Sequence, residues 1–477
     1  MRYVSTRGGM EPATFSEVLI EGLAPDGGLV VPEQMPALSS EQLESWRSLN
    51  YPQLASEVLS LFATDIPRED LDAMTLRAYG GGKFAHRDVV PVTPIDESIS
   101  LLGLSEGPTL AFKDMAMQFL GEAVEYVLQR TGGTLNIVGA TSGDTGSAAE
   151  YAFRDKQNVA VFMLSPQGRM SDFQRAQMYS LTEPNIHNIA MEGVFDDAQN
   201  HLKSLAGDLD FKRRYRLGAV NSINLGRVTA QSVYYVWAYL RLTDALPEDA
   251  REGFEFSVTV PSGNFGNILA GHFAKTMGVP IRRLVLASNE NNVLHEFFST
   301  GVYRPRDREH TYLTSSPSMD ISKASNLERF IFDLLGRDGD RLREAWTTLD
   351  STGVLDLSEH REALRDVYGF ASGSSTHDDR VATIRSVFGD HAVRIDPHTA
   401  DGVKVAREHL EPGVPMLVLE TAKPAKFAEI VLEATGTEPE VPAELRYLLT
   451  AEQRVVEMAN DEQALREFIA ERALLEA

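Results

Sequence analysis

One unit recurs along this chain: a short apolar run rich in β-branched residues, a polar turn rich in glycine, then an amphipathic helix. Leu135–Ala140 leads into Thr141-Ser142-Gly143-Asp144-Thr145-Gly146 and a helix expected from Ser147. Residues 256–260 lead into Pro261-Ser262-Gly263-Asn264-Phe265-Gly266-Asn267 and a helix to Met277. Residues 159–164, 281–287, 392–395 and Met416–Glu420 read as further strands of the same kind. Runs that are apolar throughout, rather than alternating, belong to strands buried on both faces. Such strands alternating with helices form parallel sheets. The expected fold class is therefore α/β, with ligands bound beyond the carboxyl ends of the strands.

Ahead of these units, Phe15–Glu21 and residues 41–62 read as helical, separated by the glycine-proline crossing Ala24-Pro25-Asp26-Gly27-Gly28. Gly80-Gly81-Gly82, followed by Pro91 and Pro94, marks a boundary. From Pro442 onward the chain reads as a mostly helical extension. We expect three parts, at 1–88, 89–440 and 441–477, an ordinary division for 477 residues. The net charge of −24 argues against nucleic acid or anionic membranes as partners, though not against an anionic small substrate in a locally cationic cleft. There is no cysteine, which removes disulfides, thiolate metal sites and thiol nucleophiles. The start of the chain has no signal-peptide pattern, and its most apolar helical stretch, 232–242, is too short to span a bilayer. A cytoplasmic protein is expected.

The segments that follow the strands carry the candidate chemistry. In residues 261–267, small residues let successive N–H groups converge at a helix start, where the dipole adds positive potential. A phosphate fits such a nest; the same segment also serves as a plain strand-to-helix turn. Its spacing is neither that of a P-loop nor that of a dinucleotide fingerprint. Residues 141–146 form a second turn of this type, able to hold a carboxylate or simply to cap a helix. Lys113 lies in Gly107-Pro108-Thr109-Leu110-Ala111-Phe112-Lys113, just ahead of an apolar helical stripe. Burial there would lower its pKa, as a Schiff-base lysine requires; most lysines at a helix start instead reach solvent. Thr421 follows a buried strand, placed to donate to a ring nitrogen or to cap the next helix. His398, in Asp396-Pro397-His398-Thr399-Ala400, is a candidate proton shuttle or a structural loop histidine. No pattern for a metal site or a serine hydrolase is present, and no metal is expected.

In this order, residues 107–113, 141–146, 262–267, 396–400 and 421–427 resemble the threonine synthase family. The likeness begins at Ser5-Thr6-Arg7-Gly8 and residues 22–32. It takes in Asn221-Ser222-Ile223-Asn224 and residues 315–321, and runs to about Gly436. It is similar to the longer branch, which has a separate N-terminal domain. The resemblance implies a two-lobed pyridoxal-phosphate enzyme of the tryptophan synthase β type, with parallel-rich sheets and a mainly helical N-terminal domain. It implies that Lys113 is catalytic and carries pyridoxal 5'-phosphate as an imine. Gly263, Asn264, Phe265, Gly266 and Asn267 would hold the cofactor phosphate, and Thr421 would face the pyridine nitrogen. Thr141, Ser142, Asp144 and Thr145 would bind the substrate carboxylate. Arg227 is the first candidate for binding the substrate phosphate, with Lys323, Asn326 and Arg329 behind it.

The sequence departs from the family pattern in three places. Leu225-Gly226 stands where Trp-Ala is expected, Lys423 where His is frequent, and Asp401 where Val is common. The implied reaction turns O-phospho-L-homoserine and water into L-threonine and phosphate, in a monomer or homodimer. Its rivals are a phospho-lyase or hydroxy-amino-acid dehydratase on the same scaffold, and a noncatalytic cofactor-holding protein.

Overall fold

A computed structural model describes residues 1–168 and 170–475. The strands expected at Leu135–Ala140 and Met416–Glu420 form as read, and three others extend slightly, to Val159–Pro166, Phe256–Pro261 and Ile281–Ser288. They assemble into two sheets. The larger runs, in hydrogen-bonded order, Phe370–Ser374, Ile281–Ser288, Phe256–Pro261, Met416–Glu420, Ile99–Gly103 and Val92–Pro94. Every pairing in it is parallel except the last. The smaller is parallel throughout: Val456–Met458, Ile186–Met191, Val159–Pro166, Leu135–Ala140 and Leu217–Gly218. Every residue of Val159–Pro166 and of Phe256–Pro261 is buried, as strands covered by helices on both faces require. Architecture and class are α/β with parallel-rich sheets.

Four local readings are corrected. Residues 392–395 form no strand: Ala392 closes the helix His377–His391 in a left-handed conformation, and Asp396 caps the next helix, Pro397–Glu408. Their apolar character serves a connector whose Ile395 is buried against Val403 and neighbouring core residues. Residues 41–62 hold two helices, Ser40–Ser45 and Tyr51–Ser60, because Asn50 starts the second through a reciprocal capping box with Gln53. The helix after residues 141–143 starts at Asp144, three residues early, since the Thr141 hydroxyl closes the turn's own amides. After Pro442 the chain does more than coil: Val456–Met458 adds an edge strand to the smaller sheet, and the helix Glu462–Arg472 buries Leu465 and Ile469 against it. The last two residues of the expected 441–477 segment lie outside the described residues.

The N-terminal region is keyed into the rest of the molecule. Tyr3–Ser5 pairs antiparallel with Val30–Pro32. Tyr79 donates its hydroxyl to the Met115 carbonyl at 2.7 Å. Glu328 accepts from the Thr6 hydroxyl at 2.7 Å and from two Arg7 nitrogens at 3.1 and 2.9 Å. Arg329, fully buried, donates to the carbonyls of Val30 (2.9 Å) and Ile223 (2.6 Å) and to the Asn326 side chain (2.6 Å). Among the described residues, no helix is long and apolar enough to cross a membrane.

Candidate active site

Segments that follow strands of the two sheets meet: Asp144, after Leu135–Ala140, lies 2.8 Å from Lys426, after Met416–Glu420. At the end of Phe256–Pro261 the backbone turns through Ser262–Gly263–Asn264 into the helix Gly266–Met277. Phe265, at the head of that helix, has a left-handed backbone (φ 64°), which costs a side-chain-bearing residue about 1–2 kcal/mol. Its ring is locked among Phe298, Phe330 and Phe370, with centroids 5.7–6.0 Å away, and this packing sustains the strain. The strain keeps the turn tight at the positive end of the helix. Gly263 has little room for a side chain: an added Cβ would lie 3.0 Å from the Met319 Cα.

Asn264 and Asn267 are both engaged from behind. The Asn264 side chain donates to the Ser222 hydroxyl and accepts from the Ser325 N–H at 2.8 Å. Asn267 accepts from the hydroxyls of Tyr234 and Tyr235, which belong to the helix Leu225–Thr243. Asn267 Nδ2 and the Ser262 hydroxyl are buried without a protein partner. Orphaned buried polar atoms are rare, and here they lie in the turn at the positive end of a helix, which suits an anionic group.

Lys113 opens the helix Lys113–Thr131, largely buried (side chain 13% exposed). The segment before it is zipped to the segment after Met416–Glu420: Ala111 bridges Ala422, and the Phe112 N–H donates to the Thr421 carbonyl at 2.8 Å. Lys113 and Thr421 are thereby brought together across 308 positions of chain. The Thr421 hydroxyl is buried and has no protein partner. Lys113 Nζ lies 3.6 Å from Asp144 Oδ2. Burial lowers its pKa; Asp144 opposes that, while Lys426 and Arg227 reinforce it.

Asp144 is tightly held. Oδ1 accepts from Gln174 Nε2 at 3.0 Å and lies 2.8 Å from Lys426 Nζ, and Oδ2 accepts from the Ser318 hydroxyl at 3.0 Å. Burial alone would raise its pKa, but Lys426, Lys113 and the hydrogen bonds outweigh that and hold it well below the usual range. Next to Lys113, Asp114 accepts from the Thr109 N–H and hydroxyl, and burial raises its pKa to about 6.

The remaining sequence candidates divide. In the turn after Leu135–Ala140, the Thr141 hydroxyl accepts from the N–H groups of Gly143 (3.0 Å) and Gly146 (2.9 Å), so it builds the turn. Gly143 is needed there, since its φ of 137° and a Cβ position 2.7 Å from Gln174 exclude other residues. The hydroxyls of Ser142 and Thr145 make no hydrogen bond among the described residues. Arg227 is buried, donates only a 3.3 Å bond to the Val220 carbonyl, and has an orphan Nε; burial lowers its pKa to about 10, still cationic at neutral pH.

Asn326 is fully engaged, donating to the carbonyls of Ser222 (3.0 Å) and Asn264 (3.2 Å) and accepting from Arg329. It shapes the anion turn from behind. Lys323 pairs with Asp350 at the surface. His398 accepts from the Ser318 N–H (3.1 Å) on Nε2, which leaves Nδ1 to donate to Asp396 (2.8 Å); it pins the 315–321 loop.

The three departures find local explanations. A Cβ at Gly226 would collide with Leu19 at 2.5 Å, so glycine admits the N-terminal region. Lys423 pairs with Glu106 and Glu420. Asp401 pairs with the buried Arg380 at 3.1 Å. Sequence reasoning missed Lys426 and Ser318, which lie within the segments 421–427 and 315–321, and Gln174, which lies outside every such segment in the helix Asp172–Tyr179.

Two family models match, one described as Threonine synthase N terminus over residues 2–79 and one as Threonine synthase, C-terminal, over residues 399–469. The threonine synthase of Methylobacillus glycogenes is 52% identical over 479 residues, covering 99% of this chain and 100% of that protein. The chain belongs to the threonine synthase family. A second family member, the threonine synthase of Corynebacterium glutamicum, is also 52% identical, over 99% of this chain and 98% of its own. Among solved structures, the PLP-bound threonine synthase from Brucella melitensis superposes with a TM-score of 0.94 at 42% identity, covering 99% of both chains.

Proposed function

We infer that this chain is a threonine synthase using pyridoxal 5'-phosphate, converting O-phospho-L-homoserine and water into L-threonine and phosphate. Family membership along the full chain supports the reaction. The observation that carries the residue assignments is a buried Lys113, its pKa lowered, on a segment whose Phe112 N–H is hydrogen-bonded to Thr421, a residue with a buried and unpartnered hydroxyl. The donor set fits the cofactor: an amine for its aldehyde, a turn of converging N–H groups with the free Ser262 hydroxyl for its phosphate, and a neutral hydroxyl for its ring nitrogen.

Lys113 would hold the cofactor covalently, residues 263–267 its phosphate, and Thr421 its ring nitrogen. When bound, the cofactor supplies the electron sink that makes the substrate Cα–H acidic. With its amine free, Lys113 would take the Cα proton. Burial suits this step, because a lysine with a lowered pKa is unprotonated more often at neutral pH. The substrate then loses a Cβ proton and expels phosphate from Cγ; water adds its hydroxyl at Cβ, and protons return to Cγ and Cα. Arg227, cationic and almost without acceptors, would bind the substrate phosphate. The free hydroxyls of Ser142 and Thr145 would donate to the substrate carboxylate. Asp144 does not suit that task, because an ionised carboxylate repels another.

Incubation of the purified protein with O-phospho-L-homoserine tests the reading. Threonine and phosphate are expected; 2-oxobutyrate with ammonia and no threonine would replace it with the lyase alternative. Borohydride reduction should attach the cofactor at residue 113.

A further inference from the structure

We propose that Asp144 and Lys426 form a fixed ion couple that positions the Lys113 amine and sets its charge state, which makes Lys426 a positioning residue for the reaction. The proposal rests on the reading of Lys113 as the base.

The geometry is specific. Lys426 sits in the short turn Pro424–Phe427 and is wholly buried, its side chain 0% exposed. Its ammonium donates to the Thr109 carbonyl at 2.7 Å and meets Asp144 Oδ1 at 2.8 Å. Gln174 shares that oxygen, and Ser318 donates to the other, the one facing Lys113. Asp144 is thus fixed from three directions, by the helix Asp172–Tyr179, the 315–321 loop and the turn holding Lys426.

A buried ion pair adds little net stability and is costly to break, so stability alone does not account for a second buried lysine here. What the couple does is electrostatic. The charged groups that act on Lys113 are Asp144, Lys426 and Arg227. Alone, Asp144 would bind the Lys113 proton and keep the amine from acting as a base. Lys426 neutralises much of that field while holding the carboxylate too rigidly to follow a moving amine. The Lys426 ammonium also anchors Thr109, four residues before Lys113, and so ties the approach segment to the same couple.

The signs discriminate. Lys426→Met removes the cation that neutralises Asp144, so the Lys113 amine keeps its proton to higher pH. Asp144→Asn removes the anion and acts in the opposite sense. A purely structural role would move both variants alike or neither. The test uses holoenzymes of the wild type, Lys426→Met and Asp144→Asn, with Lys426→Gln standing in should Lys426→Met not fold. Two quantities are followed against pH: the visible absorption band of the cofactor attached at Lys113, and the acid limb of kcat with saturating O-phospho-L-homoserine.

The expected result is an upward displacement of about one pH unit for the Lys426 variants and a downward one for Asp144→Asn. If the wild-type band does not titrate between about pH 5 and 10, the acid limb decides. Displacements of the same sign in both variants, or limbs within about 0.2 pH unit of wild type, overturn the proposal. A wild-type protein that forms no threonine overturns the functional reading instead, so the two failures are distinct.

Discussion

The anion turn and the lysine chamber are built in different ways. The turn at 262–267 is one contiguous segment between a strand and a helix, braced from behind by Asn326, Tyr234, Tyr235 and the rings around Phe265. The chamber around Lys113 is assembled from residues 113, 144, 227, 426 and 421, which reach it from five separate elements. The first is a segment whose place short-range sequence can specify, although distant residues brace it. The second is a balance of charges that exists only once the lobes have folded together. The contrast implies that damage to the turn weakens binding, while damage to the chamber alters chemistry and its pH dependence.

The largest expected effect is at the centre of the chamber. Lys113→Ala should abolish the covalent cofactor band and lower kcat by roughly a thousandfold or more, as loss of a general base and covalent anchor entails. A variant that kept both band and turnover would break the contrast altogether.

Next is Arg227→Gln, expected to lower kcat/KM for the phosphorylated substrate by about a hundredfold, the scale of a lost charge-assisted contact. The effect should be much smaller on the band, because the assigned partner is the substrate. An equal loss of cofactor would move Arg227 to the turn.

Asp114 tests whether burial in the chamber is as severe as the geometry implies. Its pKa is raised to about 6, so between roughly pH 4 and 6 the folded protein keeps a proton that the unfolded chain releases. Stability contributed by the protonated carboxyl is therefore lost as pH rises through that window. Urea unfolding should show the wild type losing about 2 kcal/mol relative to Asp114→Asn from pH 4 to 7. Parallel stability curves would show that the carboxylate is better solvated than its position indicates.

The smallest expected effect is at the turn. Gly263→Ala pushes a Cβ to 3.0 Å from Met319 and should weaken cofactor binding about tenfold, with the pH profile unchanged. A displaced acid limb would show that the turn and the chamber are not separable.

Much of this organisation was legible in advance. The parallel strands at Leu135–Ala140 and Met416–Glu420 and the turn at 261–267 were readable from runs of apolar residues ended by glycine. The same rule misread 392–395, because an apolar run between two helices can bury its side chains as a connector without pairing. It also merged Ser40–Ser45 with Tyr51–Ser60, since apolar periodicity passed over the cap at Asn50. Among the site candidates, Lys113 and Arg227 were named and are buried there. Thr141 and Asn326 were named as binders; the Thr141 hydroxyl oxygen accepts two amides of its own turn, and Asn326 braces the anion turn.

The sequence by itself determined what depends on neighbours in the chain: the α/β class, the strand-to-helix turns and, through the joint pattern of motifs, the family. Tertiary structure decided which polar atoms are left free and which charges confront one another. Asp144 reads as part of a carboxylate-binding loop until Lys426, 282 residues later, is found 2.8 Å from it. Backbone geometry and periodicity are short-range properties, whereas desolvation and Coulomb interactions depend on distances that only the folded chain sets.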